Sequence, residues 1–271
     1  MSVVNTNIAS LNSWRNLQAS QNSMNSSLEK LSSGKKINRA ADDASGLAIS
    51  EKMTGQINGL DQATSNAQNA ISLIQTAEGA LNETTAILQR MRTLAVQSRN
   101  DTNTDADRAQ TQKEVNQLIS EITRISTDTE FNTQKLVNGS ATSLTFQIGA
   151  NKGQTITLSI ANMGATALSV DSTTLATEAG ASAAITAIDA AISSVSTTRA
   201  NLGAVQNRLT HTVNNLEVAS ENLSSARSNL QDTDMAKEMA NYSKQQVLIQ
   251  SGTAMLAQAN QSSQSVLKLL Q

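Results

Sequence analysis

The chain has 271 residues, 20 Lys and Arg against 22 Asp and Glu, 1% aromatic residues, and neither proline nor cysteine. Ordinary usage would place roughly a dozen prolines in such a chain, so continuous helix around an aliphatic core is expected, and a disulfide framework is excluded. No basic block with interleaved aromatics and no long unbroken apolar run occurs, which argues against a nucleic-acid surface and a membrane span.

The opening MSVVNTNIASLN has neither a basic start nor a continuous apolar stretch, which argues against a cleaved secretory signal. Val4, Ile8, Leu11, Trp14, Leu17, Met24, Leu28 and Leu31 recur at helical spacing. Fully burying such side chains contributes about 2 kcal/mol each, whereas ordering each residue of the segment costs about 1–2 kcal/mol. The segment is not expected to fold alone. Arg15 is the only charged residue from Met1 to Leu28, and Lys268 the only one from Gln245 to Gln271, where Val247, Ile249, Leu256, Val266, Leu267, Leu269 and Leu270 alternate with Gln, Ser, Asn and Ala. A water-facing helix ordinarily carries Lys and Glu; uncharged polar residues suit a surface packed against other copies. Both ends therefore read as assembly segments, Val4, Ile8, Leu11, Trp14 and Leu17 at one end and Leu256, Val266, Leu267 and Leu270 at the other. They are expected to be disordered in a free monomer over about the first and last 40 residues.

Ser32, Ser33 and Gly34 are expected to break the first helix, Lys35, Lys36 and Arg39 to form a small basic cluster, and Asp42 to cap a helix running from Asp43 to Arg99. Along that helix Ile49, Met53, Ile57, Leu60, Ala63, Ala67, Ile71, Ile74, Ala77, Leu81, Leu88, Met91 and Leu94 recur at steps of mostly three and four and form one stripe. At about 1.5 Å per residue it is roughly 80 Å long, against about 50 Å for a compact globule of this size. A rod is expected.

Thr104 can cap a third helix with a stripe of Ala106, Ala109, Val115, Leu118, Ile122 and Ile125. Leu144, Phe146 and Ile148, then Ile156, Leu158 and Ile160, alternate with polar residues around the turn signal Asn151-Lys152-Gly153, which predicts one β-hairpin near 143–160. Met163 to Ala181 reads as a weakly periodic connector at the tip of the rod. From about Ser182 a heptad returns: Ile188, Val195, Leu202, Leu209, Leu216, Leu223 and Leu230 keep one seam position aliphatic, while the other, Ile185, Ile192, Arg199, Gln206, Val213, Ser220 and Arg227, is repeatedly polar. The expected fold is mainly α: an elongated rod of long antiparallel helices, a coiled-coil-like bundle, with one small hairpin and paired terminal helices. Its expected divisions are 1–42, 43–234 and 235–271.

The chain offers no cofactor or metal motif. His211 is the only histidine, no GxGxxG, Walker or HExxH pattern occurs, and adjacent carboxylates such as Asp42 and Asp43 read as helix caps. No enzyme is expected.

The stretch SSGKKINRAADDASGLAIS, Ser32 to Ser50, closely resembles the N-terminal segment of bacterial flagellins, and ANLGAVQNRLTHTVNNL and MAKEMANYSKQQVLIQSGTAMLAQANQSSQSVLKLL resemble their C-terminal part. The likeness is closest over roughly 5–136 and 198–271. It implies a structural subunit exported unfolded by the flagellar type III apparatus and polymerised beneath a cap into the extracellular filament that propels the cell. Implied partners are other copies, an export chaperone, the filament cap and hook-associated proteins, and host Toll-like receptor 5. LQRMRTLAVQ, Leu88 to Gln97, is similar to the segment that receptor recognises, so Leu88, Gln89 and Gln97 fall within it and Arg90, Leu94 and Glu114 match receptor-contact positions. The alternatives are a hook–filament junction protein and a non-flagellar coiled-coil scaffold.

Overall fold

The computed structural model describes the backbone of residues 6–268 and the side chains of residues 6–261. In order, the described elements are α1 (Ile8–Ser33), α2 (Ala44–Ser98), α3 (Asp105–Asp128), β1 (Glu130–Phe131), β2 (Gln134–Lys135), β3 (Leu144–Gln147), β4 (Thr155–Leu158), α4 (Glu178–Gln231) and α5 (Met235–Lys268). The protein is mainly α, with long helices and two small antiparallel hairpins. It packs as two units, one of Met1–Gly55 with Asn222–Gln271, the other of Gln56–Glu221. The limits of these units fall inside α2 and α4.

In the larger unit the core is aliphatic, as the composition required. Ala67, Ile74, Ala77, Leu81, Leu88, Met91 and Leu94 of α2 are buried at steps of mostly three and four. From α4, Ala181, Ile188, Val195, Leu202, Leu209 and Leu216 are buried at every seventh residue, the aliphatic side of the heptad seam. Arg92 and Asp189 pair at 2.6 Å, and Ser220 donates to Asp61 at 2.9 Å. Between these contacts α2 and α4 each advance 31 residues, so the antiparallel register does not slip. Polar seam residues reinforce it, Arg199 meeting Glu78 at 3.8 Å. One stretch of α4 reaches a mean hydropathy of 1.2, long and apolar enough by composition to cross a membrane. Its burial at heptad spacing identifies it instead as a core helix.

Thr104 caps α3 in a reciprocal capping box with Asp107. The α3 stripe starts later than expected: Val115 and Ile122 are buried, whereas Ala106 and Ala109 face solvent. The first turn is instead held by Arg108, whose guanidinium donates to the carbonyls of Ser98 at 2.9 Å and Asn100 at 3.3 Å. These oxygens lie at the end of α2, where the helix cannot supply donors.

The weakly periodic connector that begins at Met163 is packed. Met163, Leu168, Val170 and Leu175 are in the core, and the Gln112 side chain accepts from the Leu175 N–H while donating to the Thr173 carbonyl at 3.3 Å. Its buried residues follow turns rather than a helix or strand period, so no pattern announced them. α4 accordingly begins at Glu178, ahead of the expected Ser182.

The hairpin of β3 and β4 lies where expected, with Leu144 opposite Leu158 and Phe146 opposite Ile156. A second, shorter hairpin pairs β1 with β2, whose two-residue strands are too short to show alternation in the sequence. Its turn residues Asn132 and Thr133 have φ of 49° and 65°. A β-branched residue is strained there. Thr133→Gly is therefore expected to stabilise the protein by about 1 kcal/mol and raise the thermal midpoint by about 2–4 °C. An unchanged or lower midpoint would mean that Thr133 makes compensating contacts.

In the smaller unit α1 lies antiparallel along α5. Asn7 donates to the Ala259 carbonyl and Ser10 to the Asn260 side chain, each at 2.9 Å. Gly252 permits close approach, since a Cβ there would come within 3.3 Å of Leu17. α1 ends at Gly34 in the left-handed conformation, φ 70°. The two inter-helix connectors then pair: Lys36 N–H donates to the Gln231 carbonyl at 2.7 Å and Thr233 N–H to the Gly34 carbonyl at 2.9 Å.

The cap of α2 is Asp43, one residue later than expected, its carboxylate accepting from Gly46 N–H at 2.8 Å. Asp42 instead closes the connector, accepting from the N–H groups of Asn38 at 3.1 Å and Arg39 at 3.0 Å. Nor do the basic residues cluster: Arg39 forms a two-pronged pair with Glu29 at 2.8 and 2.9 Å, while Lys36 reaches the Asn229 carbonyl at 3.3 Å. Asp43→Ala is expected to cost about 1 kcal/mol. The N–H donors of Arg39 and Asn38 hold the Asp42 carboxyl below the usual aspartate range. A lowered folded pKa means that its stabilising effect is present above the unfolded pKa and disappears as pH falls through the folded one. Thermal midpoints measured down that range should drop less steeply in Asp42→Asn than in the parent.

Candidate functional site

The surface of the α1–α5 pair follows from its burial. Among the described residues of α1 only Ser27 is buried, and none of α5 is. Leu17 and Leu256 are half-buried, Leu17 against Gly252 in the seam of the pair. Ile8, Leu11, Trp14 and Leu28 of α1, and Met235, Met239, Val247, Leu248 and Met255 of α5, face solvent. Large apolar side chains in such number, with Arg15 and Lys268 as the only charges near the two chain ends, make a surface that water covers unfavourably. The terminal residues Val4 and Leu270, and the side chains of Val266 and Leu267, lie outside the described residues. The shortage of charge after Gln245 signals Leu248 and Met255, whereas Met235 and Met239, set among Asp234, Lys237 and Glu238, carry no such sequence signal and are found only in the structure.

The second region lies in the larger unit. Arg90 of α2 and Glu114 of α3 are distant in sequence yet joined, Nε to Oε1, at 2.8 Å, with both side chains about half exposed. The hydrogen bond from Arg90 and the Glu114 charge raise the Arg90 pKa, so the guanidinium stays charged at any physiological pH. Gln89 and Gln97 are exposed. Leu88 and Leu94, in contrast, are 0% and 2% exposed, inside the core. Arg90 and Leu94 are four residues apart, but burial divides them: Arg90 lies on the rim of the stripe and Leu94 within it. The surface offered by this segment is therefore mainly polar, built from Gln89, Arg90, Gln97 and Glu114, with the exposed Val96 beside them.

Among the described residues no group of His, Cys, Asp and Glu is placed to hold a metal ion. His211 is exposed on α4. The fold and these two surfaces define a helical structural protein whose prominent feature is an apolar terminal-helix pair.

Comparison with known proteins identifies the class further. Residues 4–142 match the bacterial flagellin N-terminal helical region and residues 185–270 the bacterial flagellin C-terminal helical region. A flagellin of Halalkalibacterium halodurans is 51% identical over 99% of this chain and 99% of its own length. A flagellin of Clostridium tyrobutyricum is 66% identical over 52% of this chain, which spans 38% of that longer protein. Among solved structures, Bacillus cereus flagellin superposes with a TM-score of 0.52 at 35% identity, covering 56% of this chain and 88% of that one. This chain belongs to the bacterial flagellin family. It is a structural subunit of the extracellular flagellar filament, and the family's role is motility rather than catalysis. Nothing in these comparisons favours the junction-protein or scaffold alternatives.

Proposed function

We propose that α1 and α5 are the segments through which copies of this chain polymerise, and that their folding is completed by that association. The observation that carries this reading is the exposure of Ile8, Leu11, Trp14, Val247 and Leu248 on the stretches of α1 and α5, up to Leu28 and from Gln245, where Arg15 and Lys268 are the only charged residues. The pair buries too little to offset the entropy of ordering its residues, so in the free subunit it opens readily. In the filament the same side chains meet neighbouring copies, and burial on that side holds the helices shut.

Loose ends also suit delivery. The chain is exported unfolded through the type III apparatus, unhindered by disulfides because cysteine is absent. Before export a chaperone holds the apolar C-terminal helix, and at the growing end the filament cap and hook-associated proteins meet the same terminal surfaces. The polar surface of Gln89, Arg90, Gln97 and Glu114 serves Toll-like receptor 5 in the free subunit, with Leu88 and Leu94 holding α2 in place beneath it.

Amide hydrogen exchange before and after seeded polymerisation tests the assembly reading. In the free subunit, exchange across α1 and α5 is expected to be much faster than across α2 at Ala67–Leu94, and in the filament it should slow by orders of magnitude. Equal exchange of α1 and α5 in both states would overturn the coupling of folding to assembly.

A further inference from the structure

The methionines divide sharply by exposure. Met91 and Met163 lie in the core at 0% and 5% exposure, and Met24 and Met53 are half-buried. Met235, Met239 and Met255 are 49%, 50% and 60% exposed, and all three belong to α5. A thioether is oxidised where solvent reaches it, so the distribution concentrates oxidation on one helix. Met235 and Met239, four residues apart, share a face, and Met255 adjoins Leu256.

We propose that Met235, Met239 and Met255 are oxidation sites whose conversion to sulfoxides takes the free subunit out of assembly. The inference rests on the terminal-helix reading above. The co-reactant is a hydroperoxide such as hydrogen peroxide. The thioether sulfur attacks one peroxide oxygen and supplies two electrons; the O–O bond breaks, one oxygen stays on sulfur, and the other leaves as water with both protons. The methionine is oxidised by two electrons and the peroxide reduced by two. The product exchanges a soft apolar side chain for a polar S=O acceptor. Where a neighbouring copy would cover α5, that acceptor has no partner and its desolvation opposes contact. Once the filament has formed, the same cover shields the sulfurs, so susceptibility belongs to the unassembled subunit. Two-electron reduction by a dithiol, which becomes a disulfide while the sulfoxide oxygen leaves as water, restores the thioethers.

The test treats full-length free subunit with dilute hydrogen peroxide, locates oxygen by peptide mass spectrometry, and then measures critical concentration in seeded polymerisation. Met235, Met239 and Met255 are expected to gain oxygen well before Met91 and Met163, and the critical concentration to rise about tenfold or more. Reduction by the two sulfoxide reductases, one for each epimer, should return it to the starting value. In preformed filaments treated alike, the three should react more slowly. A triple Met→Leu variant, which conserves volume, should give a treated-to-untreated ratio near one. Equal oxidation of core and α5 methionines would overturn the proposal. So would undiminished polymerisation of subunit oxidised at all three sites, or a triple variant as peroxide-sensitive as the parent. If instead charge placed on α1 leaves polymerisation of untreated subunit unchanged, the terminal-helix reading itself fails, an outcome distinct from these.

Discussion

Leu94→Ala is expected to lower the stability of the larger unit by about 2–5 kcal/mol and its thermal midpoint by about 5–15 °C. Leu94 belongs to the α2 stripe inside the core cluster, where deletion of three methyl and methine groups leaves a cavity between close-packed helices. Arg90→Ala, four residues earlier, removes a solvent-exposed ion pair with Glu114 and should cost under about 1 kcal/mol. The two variants therefore separate contact from support. Thermal melts and receptor signalling measured side by side should show Arg90→Ala losing signal at nearly unchanged midpoint. Leu94→Ala should lose signal in step with the fraction unfolded, and full signal at temperatures well below its own transition. Loss of signal from fully folded Leu94→Ala would mean that the receptor opens this part of the core to reach the side chain.

Placing aspartate at both Leu11 and Trp14 is expected to raise the critical concentration for filament growth by about three orders of magnitude. Burying each parent side chain against a neighbour is worth about 2 kcal/mol, and about 1.4 kcal/mol corresponds to a factor of ten. An unpaired carboxylate in a dry contact adds to the loss. In the free subunit both positions are already exposed, so helix content by circular dichroism should change little. Sedimentation of seeded reactions reads the difference directly, and filaments of normal length and yield from this variant would rule out α1 as an assembly surface.

Much of this molecule is legible in the chain because its core is built from repeats. The seven-residue spacing of Ile188, Val195, Leu202, Leu209 and Leu216 can face inward only on a long helix with an apolar partner, and the α2 stripe supplies that partner. Thr104, two alternating runs around Asn151-Lys152-Gly153, and the charge-poor ends are likewise local signals with direct physical meaning. Elsewhere the local reading had two equal solutions. Asp42 and Asp43 are both good caps, and the choice fell to Asp43 because the Asn38 and Arg39 N–H groups turn back onto Asp42.

The sequence by itself determined a helical, aliphatic, cysteine-free structural subunit with ends poor in charge, since composition and periodicity act on every turn and survive without knowledge of neighbours. Only the tertiary structure decided what each repeat position meets. It joined Arg90 to Glu114 across two helices, withdrew Leu88 and Leu94 into the core, packed Met163 to Leu175 through Gln112, and left the α5 methionines in solvent. The reason is geometric: spacing assigns a residue to a face, but whether that face is a wall, a rim or a surface depends on the helices brought against it.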